Sequence, residues 1–294
     1  MNLKVLVTGG GGLLAYSLRE LRPEGMTLVF WDREHFDLTR PDQMGELLRS
    51  LRPDWVVNTA AYNRVDRCEF ERDQSWAVNA QGPENLARIC NQIGSRMVHF
   101  SSDYVFDGQK TAPYDETDRP NPVNYYGVGK LYGETAVLKL SSGNMVLRTS
   151  WLFGPHPTQT KSYVHTVLRQ ALECKSIKAV TDQVAAPTYA PDLAKCTVEL
   201  IRHDASGLFH VVNGEGLSRY EWTREILTIA RATAFLKSEV SVEAVETGAF
   251  GAAIRRPRYS VLSNRKVTTF LNQPLGSWRN GLHQLLLHSP RLCR

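Results

Sequence analysis

Short apolar runs recur through the first half of the chain, and each is followed by a stretch in which apolar residues fall every third or fourth position. Leu3-Lys4-Val5-Leu6-Val7, Thr27-Leu28-Val29-Phe30-Trp31, Trp55-Val56-Val57, Met97-Val98-His99-Phe100 and Val146-Leu147-Arg148-Thr149 read as buried parallel strands. Between them, Leu14, Leu18 and Leu21 repeat at helical spacing. So do Met44, Leu47, Leu48 and Leu51, in a helix expected to be capped by Thr39. A longer helix is expected over 68–93, bent at Gly82-Pro83. Strands alternating with helices of this length predict an α/β fold, a doubly wound parallel sheet of the Rossmann type. Beyond Trp151 the pattern is less regular, with helices expected over 164–172, 192–201 and 220–232 and a strand over 208–212. That part predicts a smaller C-terminal lobe covering the crevice of the first.

The first strand runs into Thr8-Gly9-Gly10-Gly11-Gly12-Leu13-Leu14-Ala15. Strand, glycine turn and helix together make a phosphate-binding hypothesis, because Gly9 and Gly12 let backbone approach a pyrophosphate at a helix N-terminus. Asp32 ends the second strand 20 residues past Gly12, where a dinucleotide fold places the acid that binds ribose hydroxyls. Arg33 beside it could instead hold a 2′-phosphate, so the choice between NADH and NADPH stays open. Small residues after the third strand, Ala60 and Ala61, leave room for a ligand at the sheet's carboxyl edge.

Ser102 arrives at that same edge, where a hydroxyl can stabilise charge on a substrate carbonyl, or simply cap a neighbouring backbone group. Tyr126-Gly127-Val128-Gly129-Lys130 then sets a phenol and an amine four residues apart on one helix face. Alone, that spacing is more often a core aromatic beside a solvated lysine. A charge about 4 Å away at an effective dielectric near 20 favours a phenolate by roughly 4 kcal/mol, which would bring the phenol toward neutrality. Such a phenol can exchange a proton with an alkoxide. Two glycines inside a helix cost about 1 kcal/mol each, so Gly127 and Gly129 predict a close approach there.

Composition narrows the class. The 294 residues are 42% hydrophobic, enough for a substantial core, with no apolar run long enough to span a bilayer and no charged-then-apolar leader. A soluble, cytoplasmic protein is expected. Five scattered cysteines (Cys68, Cys90, Cys174, Cys196 and Cys293) argue against a disulfide framework or a zinc site. A net charge of +5, densest at Arg255-Arg256-Pro257-Arg258 and the Arg291 to Arg294 tail, is too weak for a nucleic-acid surface and suits a small anionic ligand.

The glycine turn, Asn58-Thr59-Ala60-Ala61-Tyr62, Ser101-Ser102-Asp103-Tyr104-Val105-Phe106 and Tyr126-Gly127-Val128-Gly129-Lys130 resemble the extended short-chain dehydrogenase/reductases. Arg148-Thr149-Ser150-Trp151, Asp182-Gln183-Val184-Ala185-Ala186-Pro187-Thr188, Arg256-Pro257-Arg258-Tyr259-Ser260-Val261-Leu262 and Pro274-Leu275-Gly276-Ser277-Trp278 narrow the resemblance to the dTDP-4-dehydrorhamnose reductase family over nearly the whole chain. It departs at Ala185, where glycine is usual, and at Tyr259, where asparagine is frequent.

The resemblance implies reduction of the C4 ketone of a nucleotide-bound deoxyhexose by NADPH or NADH. It divides the chain into a dinucleotide-binding part, 1–152, and a mainly substrate-binding part, 153–294, with segments of the latter returning to the sheet. It assigns Tyr126, Lys130 and Ser102 to catalysis. To the cofactor it assigns Gly9, Gly12, Leu13, Leu14, Asp32, Arg33, Asp37, Leu38, Ala60, Ala61 and Tyr62, with Tyr126 and Lys130. To the substrate it assigns Tyr104, Trp151, Gln183 and Arg256. It implies no metal ligand, no nucleic-acid or membrane partner, and a homodimer as one assembly it allows. Two rivals share its motifs: a nucleotide-sugar epimerase or dehydratase, and an NADP-binding regulatory subunit like that of methionine adenosyltransferase.

Overall fold

Val5 and Val7 pack into one apolar layer while Leu6, between them, packs into another, and this alternation is repeated on the neighbouring strands. A strand buried on both faces in this way needs helices above and below it. The computed structural model describes residues 2–158, 162–251 and 254–288; Thr160, Cys293 and the Arg291 to Arg294 tail lie outside the described residues.

Six parallel strands form the sheet: β1 (Leu3–Thr8), β2 (Met26–Trp31), β3 (Trp55–Asn58), β4 (Arg96–Ser102), β5 (Met145–Thr149) and β6 (Gly207–His210). Their spatial order is β6-β5-β4-β3-β1-β2. The chain therefore reverses its winding direction between β1 and β3, and in open α/β sheets the carboxyl ends flanking such a reversal make the ligand crevice. On one face lie α1 (Leu13–Leu21) and a helix from the later chain, Ala190–Arg202; on the other lie α2 (Pro41–Leu51), α3 (Gly82–Ile93) and α4 (Tyr125–Leu140).

Local chemistry explains most of the boundaries. Helix α2 starts at Pro41, whose missing N–H is no loss in a first turn. Thr39 does not cap it: Arg40 holds that position, and Thr39 is drawn into a turn where its N–H and hydroxyl both bind Asp37 Oδ1, at 2.9 and 2.8 Å. The single helix expected over 68–93 is also revised. Short helices at Val65–Cys68 and Arg72–Trp76 lead into a wide π turn, Ala77–Gln81, before α3 begins. Within that turn, Asn79 accepts from Tyr62 N at 2.9 Å and donates to Tyr62 O at 2.8 Å. The widening thus serves to tie this helix to the loop after β3.

After β5 the chain builds a second core from Phe153, Val164, Leu168, Trp222, Ile226, Trp278 and Leu282. Its helices are α5 (Tyr163–Glu173), α7 (Arg219–Ala232) and α8 (Trp278–His288), while Ala190–Arg202, here α6, together with β6 belongs to the sheet. Helix α7 is fixed at its start by a reciprocal capping box between Ser218 and Glu221. Among the described residues, no helix is long and apolar enough to cross a membrane.

The glycines of α4 divide into two kinds. A Cβ on Gly127 would lie 2.2 Å from Tyr104 O, and one on Gly133 would lie 2.5 Å from Asn79 O, whereas one on Gly129 meets only Asn79 Cβ at 3.3 Å. Gly127→Ala should therefore cost about 3 kcal/mol of stability, since backbone must move to admit the methyl. Gly129→Ala should be close to neutral, the mild contact being offset by about 1 kcal/mol of helix propensity. Urea denaturation of both variants checks this; equal losses would show that the contact at Tyr104 does not set the helix position.

Candidate active site

Gly9 leaves β1 at φ 67° and lies so close to β3 that a Cβ would stand 2.8 Å from Ala60 N. Glycine is required here twice over, by conformation and by space. Gly12 N donates to Gly9 O at 2.8 Å, closing the turn that starts α1. A cleft of about 490 Å³ opens above it, lined by Gly9, Gly12, Leu13, Asp32, Arg33, Asp37, Leu38, Ala60, Ala61 and Tyr62. Among the expected cofactor residues of the glycine turn, Leu14 does not line it: its side chain is buried in the core beneath β1, turned away from the cleft by the helix period.

Asp32 stands half-buried just past the end of β2 and accepts from the backbone N–H groups of Glu34 and His35 and from the His35 ring. The His35 contacts hold its carboxyl below the ordinary carboxylate range. Arg33 turns to Asp37, 3.6 Å away. Tyr62 gives its hydroxyl to Glu71.

Tyr126 and Lys130 do not sit in that cleft but beside it, at the ends of β4 and α4. Tyr126 packs edge-on against Tyr104, ring centroids 5.8 Å apart. It has Ser102 as a hydrogen-bonding neighbour, and burial, followed by the negative Asp103, drives its pKa well above that of a free phenol. The expectation that Lys130 pulls the phenol toward neutrality is thus corrected. Lys130 is almost fully buried and gives its amine to Phe100 O at 2.5 Å, which turns it toward β4. Burial lowers its own pKa to about 8.

Ser102 donates to Asp103 Oδ1 at 2.8 Å and accepts from Tyr104 N at 3.2 Å. Of the two alternatives read for this hydroxyl, the capping one is seen in the structure: it caps the short turn at Asp103–Val105. Asp103 takes a second hydrogen bond from Ser260 Oγ at 2.6 Å, which ties the later lobe to β4. Burial raises the Asp103 pKa to about 6.

Among the expected substrate residues, Tyr104 receives Arg256 Nη1 on its hydroxyl at 3.1 Å, and Arg256 also pairs with Asp66 at 2.5 Å. Arg255, Arg256 and Arg258 border a second cleft of about 750 Å³, with Asp182 and Glu246 on the same wall. Gln183 donates its amide to Thr247 Oγ1, a residue of that second cleft's lining, at 2.9 Å. Trp151 adopts φ 42°, strained for a bulky residue, and stacks on Trp222 at 5.3 Å.

Three residues near the site carried no assignment from sequence: Asp103, Ser260 and Arg219. The Arg219 guanidinium lies 3.6 Å from the Trp151 ring centroid and 4.4 Å from that of Tyr163, and its buried Nη1 has no hydrogen-bond partner among the described residues. The only local signal was the Ser218-x-x-Glu221 spacing, which marks a helix start and says nothing about a cation facing aromatic rings.

A dinucleotide-type crevice at the β1/β3 reversal, beside a helix carrying Tyr126 and Lys130, defines the extended short-chain dehydrogenase/reductase class. Within it the chain belongs to the family of the RmlD substrate binding domain, whose model matches residues 3–290. It is 35% identical to dTDP-4-dehydrorhamnose reductase of Burkholderia thailandensis, covering 94% of this chain and 96% of that protein. It is 33% identical to the spore coat polysaccharide biosynthesis protein SpsK of Bacillus subtilis, over 99% of both. The crystal structure of dTDP-4-dehydrorhamnose reductase from Bacillus anthracis in complex with NADP superposes with a TM-score of 0.91 at 34% identity, covering 98% of this chain and 99% of that one. UDP-glucose 4-epimerase of Thermus thermophilus, at 23% identity and a TM-score of 0.79, shares the fold.

Asp103 also yields a stability test. Its folded pKa of about 6 lies above the ordinary 3.8, so the folded state holds the proton more tightly than the unfolded one between those values. The carboxylate costs stability above pH 6, and the cost fades as pH falls toward 4. Relative to Asp103→Asn, the wild type should gain stability over that interval in urea denaturation. A constant difference between the two proteins would mean that Asp103 is not desolvated.

Proposed function

We propose that this protein reduces the C4 ketone of a nucleotide-bound 6-deoxyhexose, dTDP-4-dehydro-L-rhamnose, to the corresponding alcohol at the expense of NADPH or NADH. The observation that carries the reading is the buried phenol of Tyr126, held beside Ser102 and Tyr104 at the edge of a crevice lined by Gly9, Gly11 and Gly12. The glycine turn fits a dinucleotide: at Gly11, which also lines the cleft, a Cβ would meet nothing within 4 Å, so bare backbone faces the space a pyrophosphate would take. Bound reduced nicotinamide supplies the hydride.

The residues of the chain do the remaining work. Hydride addition would turn the ketone oxygen into an alkoxide, a far stronger base than a phenolate, so a phenol of raised pKa still delivers its proton downhill. Ser102, whose hydroxyl hydrogen rests on Asp103 Oδ1, would rotate to donate to that oxygen as charge builds. Lys130 offers hydrogen-bond donors from beneath and limits the negative charge left on Tyr126. Tyr104, Trp151, Gln183 and Arg256 form the substrate side in this reading, with the Arg255 to Arg258 cleft taking the nucleotide's phosphates, as guanidinium forks do well. In functional terms residues 1–152 hold the cofactor and 153–294 mainly the sugar nucleotide. A homodimer in the cytoplasm is the setting proposed for it.

Tyr126→Phe should lower turnover roughly 10²–10⁴-fold, the usual value of a positioned general acid, with cofactor affinity nearly unchanged. Loss of reduced-nicotinamide absorbance against dTDP-, GDP- and UDP-linked 4-keto sugars is the measurement. Undiminished turnover in the variant would remove the phenol from the chemistry. Binding of cofactor without any turnover by the wild type would favour the regulatory-subunit reading.

Asp32 and Arg33 oppose each other in cofactor choice, so both NADH and NADPH should serve. Asp32→Ala removes the charge that repels a 2′-phosphate and should shift kcat/KM toward NADPH. An unchanged ratio would place Asp32 away from the ribose.

A further inference from the structure

Beneath the site, four buried polar side chains join the glycine turn to the lysine. Thr8 Oγ1 donates to Asn58 Oδ1 at 2.7 Å, Asn58 Nδ2 meets His99 Nδ1 at 3.1 Å, and His99 Nε2 meets Lys130 Nζ at 3.4 Å. All four residues are at most 1% exposed. They sit on β1, β3, β4 and α4, so the chain crosses the sheet at the level of the crevice.

The direction of each hydrogen bond can be worked out. Ala60 N, which can only donate, reaches the Asn58 side chain at 3.2 Å. The atom facing it must therefore be the amide oxygen, and this leaves the amide nitrogen to face His99. An amide nitrogen only donates, so His99 Nδ1 accepts. Burial, with Lys130 next, holds the His99 pKa well below that of a free imidazole, and the ring is neutral. A neutral ring that accepts at Nδ1 carries its hydrogen at Nε2, and that N–H points at Lys130.

We propose that His99 is a positioning residue whose Nε2–H tautomer, imposed through Asn58 by the Ala60 N–H that orients its amide, sets the charge state available to Lys130. A neutral amine can accept this N–H through its lone pair, whereas an ammonium presents only donors to it. The chain therefore favours the neutral amine, and the long 3.4 Å contact suits two groups that do not bind well when the lysine is charged. The other charged and titratable groups on the elements packed here are Tyr126 and Glu134 on the same helix, Arg148 from β5 paired with Glu134, and Asp103 after β4. Of these, Glu134 favours the ammonium. The lysine is thus poised between Glu134 and His99.

The role in catalysis rests on the reading of Tyr126 and Lys130 given above, but the tautomer can be tested without it. Nitrogen NMR of ¹⁵N-histidine-labelled protein, assigned with His99→Gln, should show His99 neutral and protonated at Nε2 across the neutral pH range. A ring protonated at Nδ1, or at both nitrogens, overturns the proposal. Asn58→Asp replaces the donor facing His99 with an acceptor while still accepting from Thr8 and Ala60. It should move the proton to Nδ1, turn the Nε2 lone pair toward Lys130, and raise the lysine's titration by about one pH unit or more. The Lys130 amine is followed by ¹³Cε NMR, assigned with Lys130→Arg. Thr8→Val, which leaves Ala60 holding the amide, should leave both tautomer and titration unchanged. A flipped tautomer with an unmoved lysine overturns the coupling. If Asn58→Asp does not fold, the wild-type tautomer and the Thr8→Val titration still decide. Failure of the functional reading would appear separately, as undiminished turnover in Tyr126→Phe.

Discussion

The close approach of α4 to the end of β4 governs the rest of the site. At Gly127 the helix backbone comes within contact of the Tyr104 carbonyl, and at Gly133 within contact of Asn79. Side chains at either position would lift the helix from the sheet. With the helix seated, Tyr126 falls beside Ser102 and Lys130 is driven under the sheet's edge. The same seating explains why Asn124 caps α4 with its carbonyl oxygen while its amide nitrogen reaches Arg255 O at 3.0 Å, linking the helix start to the later lobe.

That geometry buries a lysine, and burying an ammonium is costly unless something answers it. Part of the answer lies one helical turn on. Glu134 and Arg148 form a two-bonded pair at 2.5 and 3.0 Å, both nearly inaccessible, and His210 stands 3.3 Å from the same guanidinium. Arg148 fixes the carboxylate whose charge supports Lys130. The pair also clamps α4 to β5, so one interaction serves both the helix position and the electrostatics of the amine.

Much of this was legible in the sequence. Apolar runs with glycine at their ends gave the parallel sheet, because a strand buried on both faces tolerates little else. The glycine turn gave the crevice, and Gly127 and Gly129 announced a close helix contact, although Gly127 and the unremarked Gly133 make the tight ones. The electrostatics were not legible. The Tyr-x-x-x-Lys spacing suggests two groups facing one another, but burial outweighs that proximity and each ends with its own partners, the phenol at Ser102 and the amine at Phe100 O. Leu14 shows the same limit on a smaller scale: its place in the glycine motif is next to the ligand, while the helix period turns its side chain into the core. Arg219 and the Thr8-Asn58-His99 chain depend on contacts between elements far apart in sequence, which no local pattern encodes.

The effects of burial at the site also fit together. Burial alone pushes Tyr126, Asp103 and Lys130 toward their uncharged forms, upward for the two acids and downward for the amine. Of the three, Tyr126 is the one held uncharged at neutral pH, since values near 6 and 8 leave Asp103 mainly ionised and Lys130 mainly an ammonium. In the proposed reaction that suits reduction of a ketone, because a protonated phenol is the reagent needed and an early phenolate would be idle. The phenolate then forms only once the carbonyl oxygen becomes basic, and Lys130 gains from remaining an ammonium, with Glu134 held close by Arg148 to favour it. In that proposed reaction the buried pair on β5 and α4 prepares the site for the negative charge that proton transfer would leave behind, while the burial of Tyr126 keeps that charge from forming too soon.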